Sequence, residues 1–182
     1  MHTARKDLAI RAFDELGLTG RNRRLAVYWL SLWNGDRMPT RAQFQPGAVR
    51  ALLPSIGIFS VNPGVSAHCR LAGTELTRAI GHDLTGRSWQ DYTPPEEWKQ
   101  RLERNSAIAT GGIGIGVRFI RDSHGELERL TELQLPFADM AEDGTRQILF
   151  HLDWRVPRLA ERPIPAREGL SIADEFYVVP LN

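Results

Sequence analysis

Eighteen residues, from Cys69 to Gly86, write a strand, a short helix and a second turn in succession, and they constrain this chain's architecture more than any other stretch. Ala67, Cys69 and Leu71 alternate with polar residues, the period of a half-buried strand. Gly73 permits the break after it, Thr74 is placed to cap the helix that follows, and Gly81 is placed to end it. Asp83 then suits the cap of the next short turn, and Gly86 redirects the chain again.

The flanks supply the remaining elements. Residues 4–16 put Leu8, Ala12, Phe13 and Leu16 on one helical face, with Gly17 and Gly20 as terminators. That face predicts packing either on the chain's own sheet or on the same helix of a second subunit. Asn22 is expected to cap a second helix carrying Leu25, Trp29 and Leu32, stopped by Asn34-Gly35. A short helix from Pro46 to Leu53 follows, halted by Pro54. Strands are predicted at 56–61 and 66–72, around the turn Asn62-Pro63-Gly64. Pro94-Pro95-Glu96-Glu97 opens a longer helix through Ala109, and strands at 113–121, 127–138 and 146–154 complete the set. Two strands, then helices, then three strands argue for an antiparallel α+β fold, with helices 73–110 on one sheet face and the N-terminal helices able to take the other.

The string Leu71, Gly73, Thr74, Leu76, Gly81, Asp83, Leu84, Gly86 resembles the core of PAS domains, in which a Gly-Thr pair after the second strand opens a short helix ending in a Gly-x-Asp-Leu-x-Gly turn. A second block, Tyr28-Trp29-Leu30 through Asn34-Gly35, Met38-Pro39 and Pro46 to Leu53-Pro54, is similar to the N-terminal region of a family of small bacterial, chiefly proteobacterial, PAS-like proteins. The resemblance implies a five-stranded antiparallel PAS-like sheet with helices on one face. It divides the chain into an N-terminal helical extension (1–54), a PAS-like core (55–156) and a C-terminal tail (157–182).

Composition narrows the function classes. A chain of 182 residues suits one domain with extensions and buries enough surface to fold unaided. Cys69 is its single cysteine, which excludes an intrachain disulfide and a cysteine-rich metal site and fits a reducing cytosol. No apolar run approaches the roughly 20 residues of a bilayer span, and Met1 to Gly20 lacks a signal-peptide core, so a cytoplasmic location without membrane contact is expected. Charge is polarised: residues 1–55 carry +5 and residues 121–182 carry −5. Arg21, Arg23 and Arg24 cluster but lack the interleaved aromatics of a nucleic-acid surface, so no nucleic-acid partner is expected.

Candidate chemistry is sparse. Gly112-Ile113-Gly114-Ile115-Gly116 follows a helix and enters a strand, the reverse of a dinucleotide loop, so its glycines are read as room for a close neighbour. Cys69 faintly echoes the cysteine motif of flavin-binding PAS relatives but lies in a strand, where plain packing is the better account. His2, His68, His82, His124 and His151 show no helical metal spacing; His151 is placed to point into a pocket, and His82 or His151 is a weak candidate for haem. Arg70 or Arg118 is expected to pair with Glu132 across strands. No framework positions a nucleophile, and no enzyme is expected.

The reading is a sensory or regulatory module that works by binding. In PAS relatives a cavity between sheet and helices holds a small molecule. Here Trp89, Tyr92, Trp98 and Leu102 would line it from the helices, and Val117, Phe119, Leu133 and Leu135 from the sheet. Ligand and cofactor identity are not legible. Expected partners are a small organic ligand, a signalling protein, or a second copy through the N-terminal helix. The rival readings are a ligand-free docking platform and, less favoured, a small enzyme using the cavity. The end of the tail, Phe176-Tyr177-Val178-Val179, is apolar enough to dock on the core or a neighbour, although fraying is usual at such a position.

Overall fold

Strand β4 (Leu127–Met140) carries apolar side chains on both of its faces, and a strand of that kind must be covered twice. The computed structural model describes residues 4–80, 83–121, 127–154 and 175–181, and in it both faces are covered by helices. Helices α1 (Arg5–Glu15) and α2 (Gly20–Ser31) precede a 3-10 stretch, Pro46–Ser55. Strands β1 (Ile56–Asn62) and β2 (Ser66–Ala72) form a hairpin; α3 (Thr74–Ile80), a 3-10 turn at Trp89–Tyr92 and α4 (Trp98–Ala109) follow. Then come β3 (Gly112–Arg121), β4, β5 (Arg146–Trp154) and β6 (Glu175–Pro180). The sheet order is β2-β1-β5-β4-β3-β6 and every pairing is antiparallel.

One face packs on the N-terminal helices. Ile56, Ile58, Ile113, Ile115, Leu133, Leu135, Phe137 and Leu149 meet Phe13, Leu25, Trp29 and Trp33. Trp29 anchors this layer: its ring lies edge-on to Phe13 and Trp33, and its Nε1 donates to the Pro136 carbonyl at 3.2 Å. A buried indole with its one donor satisfied adds a fixed geometry to its area. Of the two destinations open to the α1 face, the fold takes the chain's own core, because Ala9 and Phe13 are fully buried there.

The other face carries α3, the Trp89 turn and α4, which crosses strands on both sides of the sheet's centre. Gly73 permits this layer to form. A Cβ there would fall 2.3 Å from the Pro54 carbonyl oxygen, so only glycine allows the chain to leave β2 against the preceding 3-10 stretch. Gly86 takes φ 80° and brings residues 86–88 along the outer edge of β2, where Cys69 N donates to Arg87 O and Gly86 N to Cys69 O. That cover removes an open strand edge. Thr74 is the first helical residue of α3 rather than its cap, and Gly81 lies outside the described residues, as do His2, His82, His124 and the 122–126 turn.

Leu71 departs from its expected burial and is 47% exposed. Ile58 pairs with Leu71 while Phe59 pairs with Cys69, so Arg70 has no partner in the ladder and Leu71 is turned away from Cys69's face. Arg70 also lies three strands from β4, with β1 and β5 between, too far across the sheet to pair directly with Glu132. The sheet has six strands where five were expected. The sixth comes from the apolar end of the chain, which docks on the core.

The docking explains the glycine run in β3. Phe176 of β6 pairs with Gly116, and Val178 with Gly114. A Cβ on Gly116 would stand 2.3 Å from the Phe176 ring, and one on Gly114 would stand 2.7 Å from Ile108 of α4. The Arg104 guanidinium covers the outer side of the Phe176 ring, 5.0 Å from its centroid. Replacing Gly116 by Val is therefore expected to detach β6 while β1–β5 remain folded. Hydrogen exchange should show loss of protection in β6 and at the β3 amides that face it, with the amides of β1, β2, β4 and β5 unchanged; unchanged protection in β6 would contradict this packing.

Candidate functional site

The eight residues expected to line one cavity divide between the two faces of the sheet. Trp89 is buried on the α3–α4 face, and its ring lies edge-on to Trp98, with centroids 6.4 Å apart. Trp98 is more exposed than expected, and its Nε1 donates to the Thr93 carbonyl at 2.9 Å. Leu102 packs half-buried against the same layer. Leu133 and Leu135, by contrast, belong to the layer under the N-terminal helices. Val117 pairs with Thr131, whose hydroxyl meets Asn22 of α2, so it too shares that opposite side. The side chains of Tyr92, Phe119 and Arg118 lie outside the described residues.

The face that Trp89 occupies receives Leu130, Glu132 and Gln134 from β4, and Ile148, Phe150 and Leu152 from β5. Glu132 and Gln134 are both buried, and Gln134 Nε2 donates to Glu132 Oε1 at 2.6 Å. Three further polar atoms in this layer are buried without a protein partner: Trp89 Nε1, Thr93 Oγ1 and Gln134 Oε1. The three atoms are a donor, a hydroxyl and an acceptor. Each left unpaired costs on the order of 1–3 kcal/mol. Large rings fill other parts of the same layer. Phe150 stacks on Phe59 with centroids 4.4 Å apart and lies over Gly57, where a Cβ would come within 2.1 Å of the ring.

Cys69 is buried in β2, its thiol donating to the Leu71 carbonyl at 3.2 Å. Burial pushes its pKa up to about 11, which keeps it a thiol and makes it a poor nucleophile at neutral pH. Among the described residues no group of three His, Cys, Asp or Glu side chains is placed to hold a metal ion, and no helix is long and apolar enough to cross a membrane.

On the opposite face a buried polar chain ties the N-terminal helices to β5. Asn22 does not cap α2, which begins at Gly20 after Thr19. Its position three and four residues before Leu25 and Ala26 puts it on the buried stripe, and its Nδ2 donates to the Thr131 hydroxyl at 2.9 Å. Asn22 Oδ1 then accepts from His151 Nδ1 at 2.6 Å, which fixes the tautomer and leaves Nε2 to accept from the Ser55 hydroxyl at 2.8 Å. Arg21 Nη2 donates to the same Ser55 oxygen at 2.8 Å and pairs with Glu75 of α3 at 3.1 Å. The order Ser-His-Asn copies that of a hydrolytic triad. Ser55 is nevertheless fully buried, with its oxygen held by Arg21, so no acyl group can reach it and the chain of bonds is a structural tie.

Burial, then the Arg21 charge, pulls the His151 pKa down from 6.5 to about 3. The folded chain keeps this imidazole neutral while the unfolded chain protonates it below pH 6.5, so stability is complete above pH 6.5 and drains as pH falls toward 3. Between pH 7 and pH 5 the group is expected to remove about 2 kcal/mol from the unfolding free energy. Denaturant titrations at the two pH values should show that fall, and His151→Gln should flatten it; an equal slope in both proteins would refute the assignment.

A family model described as PAS domain matches residues 19–149, from the residue before α2 to the middle of β5. Among solved structures, the PAS domain of an HTR-like protein from Haloarcula marismortui matches with a TM-score of 0.38 and 14% identity, covering 59% of this chain and 89% of that one. No curated protein matches. With α2, the signature between β2 and α4, and strands β1 to β4 all inside the matched span, the chain belongs to the PAS domain family.

Proposed function

We propose that this PAS domain is a sensory module that binds a small organic molecule on the α3–α4 face of its sheet and signals through the elements that face holds in place. The observation that carries the reading is the set of buried atoms without protein partners, Trp89 Nε1, Thr93 Oγ1 and Gln134 Oε1. Their chemistry asks for a guest with both an acceptor and a donor, set in an otherwise apolar body. Binding there would bear on α4 and, through the Phe176 contact, on β6. The expected mechanism is a population shift and no chemical turnover.

A second reading is a ligand-free docking platform. It is favoured by the rings of Phe150 and Phe176, which occupy the space that Gly57, Gly114 and Gly116 leave open. Native mass spectrometry of gently purified protein separates the two. The ligand reading expects an additional small-molecule mass, and Gln134→Leu should weaken its retention about tenfold while circular dichroism stays unchanged, as for the loss of one buried hydrogen bond. A bare mass that stays bare after incubation with a library of small amphiphilic compounds would leave the platform reading standing.

A further inference from the structure

A groove of about 670 Å³ lies where the N-terminal extension meets the β4–β5 end of the sheet, and it shares no residue with the Trp89 layer. Three arginines line it, Arg5 from α1, Arg37 from the segment after α2 and Arg146 from the start of β5, together with Thr40 and Gln43. From this geometry we infer that the groove is a binding site for a small organic anion carrying two or more acidic oxygens, as carboxylates or phosphates.

The guanidinium groups are partly positioned in advance. Arg5 Nε donates to the Leu181 carbonyl at 2.9 Å, and Arg146 Nη1 makes a long 3.4 Å bond to the Ala138 carbonyl. The Arg146 guanidinium, tethered by one nitrogen, still presents its other N–H groups, and it loses less freedom when an anion arrives. Among the described residues no carboxylate pairs with Arg37 or Arg146. Asp36 is the acid in the lining, and one of its oxygens is committed to the Lys6 backbone N–H at 3.1 Å, in the first turn of α1. The positive end of that helix offsets its charge.

Size and lining argue for a small molecule rather than a polymer. The volume is within the usual span for small-ligand sites, about 300–1,000 Å³. The lining holds no aromatic ring on which a nucleobase could stack. Met38 and Ala138 supply a limited apolar surface suited to a short carbon skeleton. Because the lining joins α1, the segment after α2, Thr110 beyond α4 and the β4–β5 hairpin, an anion seated here would clamp the extension to the sheet.

Isothermal titration of the full chain with citrate and, separately, with fructose 1,6-bisphosphate tests the site against sodium chloride at matched ionic strength. At least one probe is expected to bind saturably with one-to-one stoichiometry, and whichever binds identifies carboxylate or phosphate as the preferred group. Arg37→Ala should weaken it about tenfold or more, the loss typical of a charge-assisted contact. Arg146→Lys keeps the charge but removes the fork, and should also weaken it. Arg50→Ala, outside the groove, should change nothing. Absence of saturable binding by both probes, or equal binding by wild type and Arg37→Ala, overturns the proposal; Arg37 is exposed, so its replacement leaves the fold intact.

Discussion

A sheet whose central strands are apolar on both faces can exist in water only between two layers, and the rest of this structure follows from that requirement. Leu130 and Leu152 point to one side while Leu133, Leu135, Phe137 and Leu149 point to the other. The PAS helices cover the first face. Without α1 and α2 the second face would expose a continuous apolar surface, so these helices complete the core and do not merely decorate it. Trp29 and the Asn22–His151–Ser55–Arg21 chain then fix the position of that layer.

The α3–α4 face combines closely packed rings with buried polar atoms. Glycines at 57, 114 and 116 let large rings approach the sheet backbone closely, and these rings pack densely. Beside them lie buried polar atoms that the protein leaves unpaired. A core selected for stability alone would replace such groups with apolar ones, since an unmet buried hydrogen bond is costly. Phe176 places the C-terminal strand in contact with the same layer.

Much of this was legible in the sequence, because turn chemistry and periodicity are local. The Gly73–Thr74 break, the Gly86 turn, strands β1 to β5 and helices α1, α2 and α4 all follow from residue types at short range. The facing of β3 and β4 was not. With leucines on both sides of β4, alternation cannot say which set meets which layer, and Val117, Leu133 and Leu135 lie on the face opposite Trp89. A usable signal existed: glycines at 112, 114 and 116 mark the side a close neighbour occupies, so residues 113, 115 and 117 must face away. Asn22 has the chemistry of a cap, but its spacing from Leu25 and Trp29 puts it on the buried stripe. The Arg70 bulge depends on the register of the β1–β2 hairpin, and the sixth strand on a partner distant in the chain, neither of which a local pattern encodes.

Both layers and the sheet form one cooperative unit, because each layer buries one face of the same central strands. Native-state hydrogen exchange under increasing denaturant tests this most directly. The account predicts that amides of α2 around Leu25 to Trp29 and amides of β4 and β5 around Leu133 and Leu149 exchange only through the same global opening, with one common free energy. Exchange of α2 at a distinctly lower free energy, with the sheet amides still protected, would contradict it.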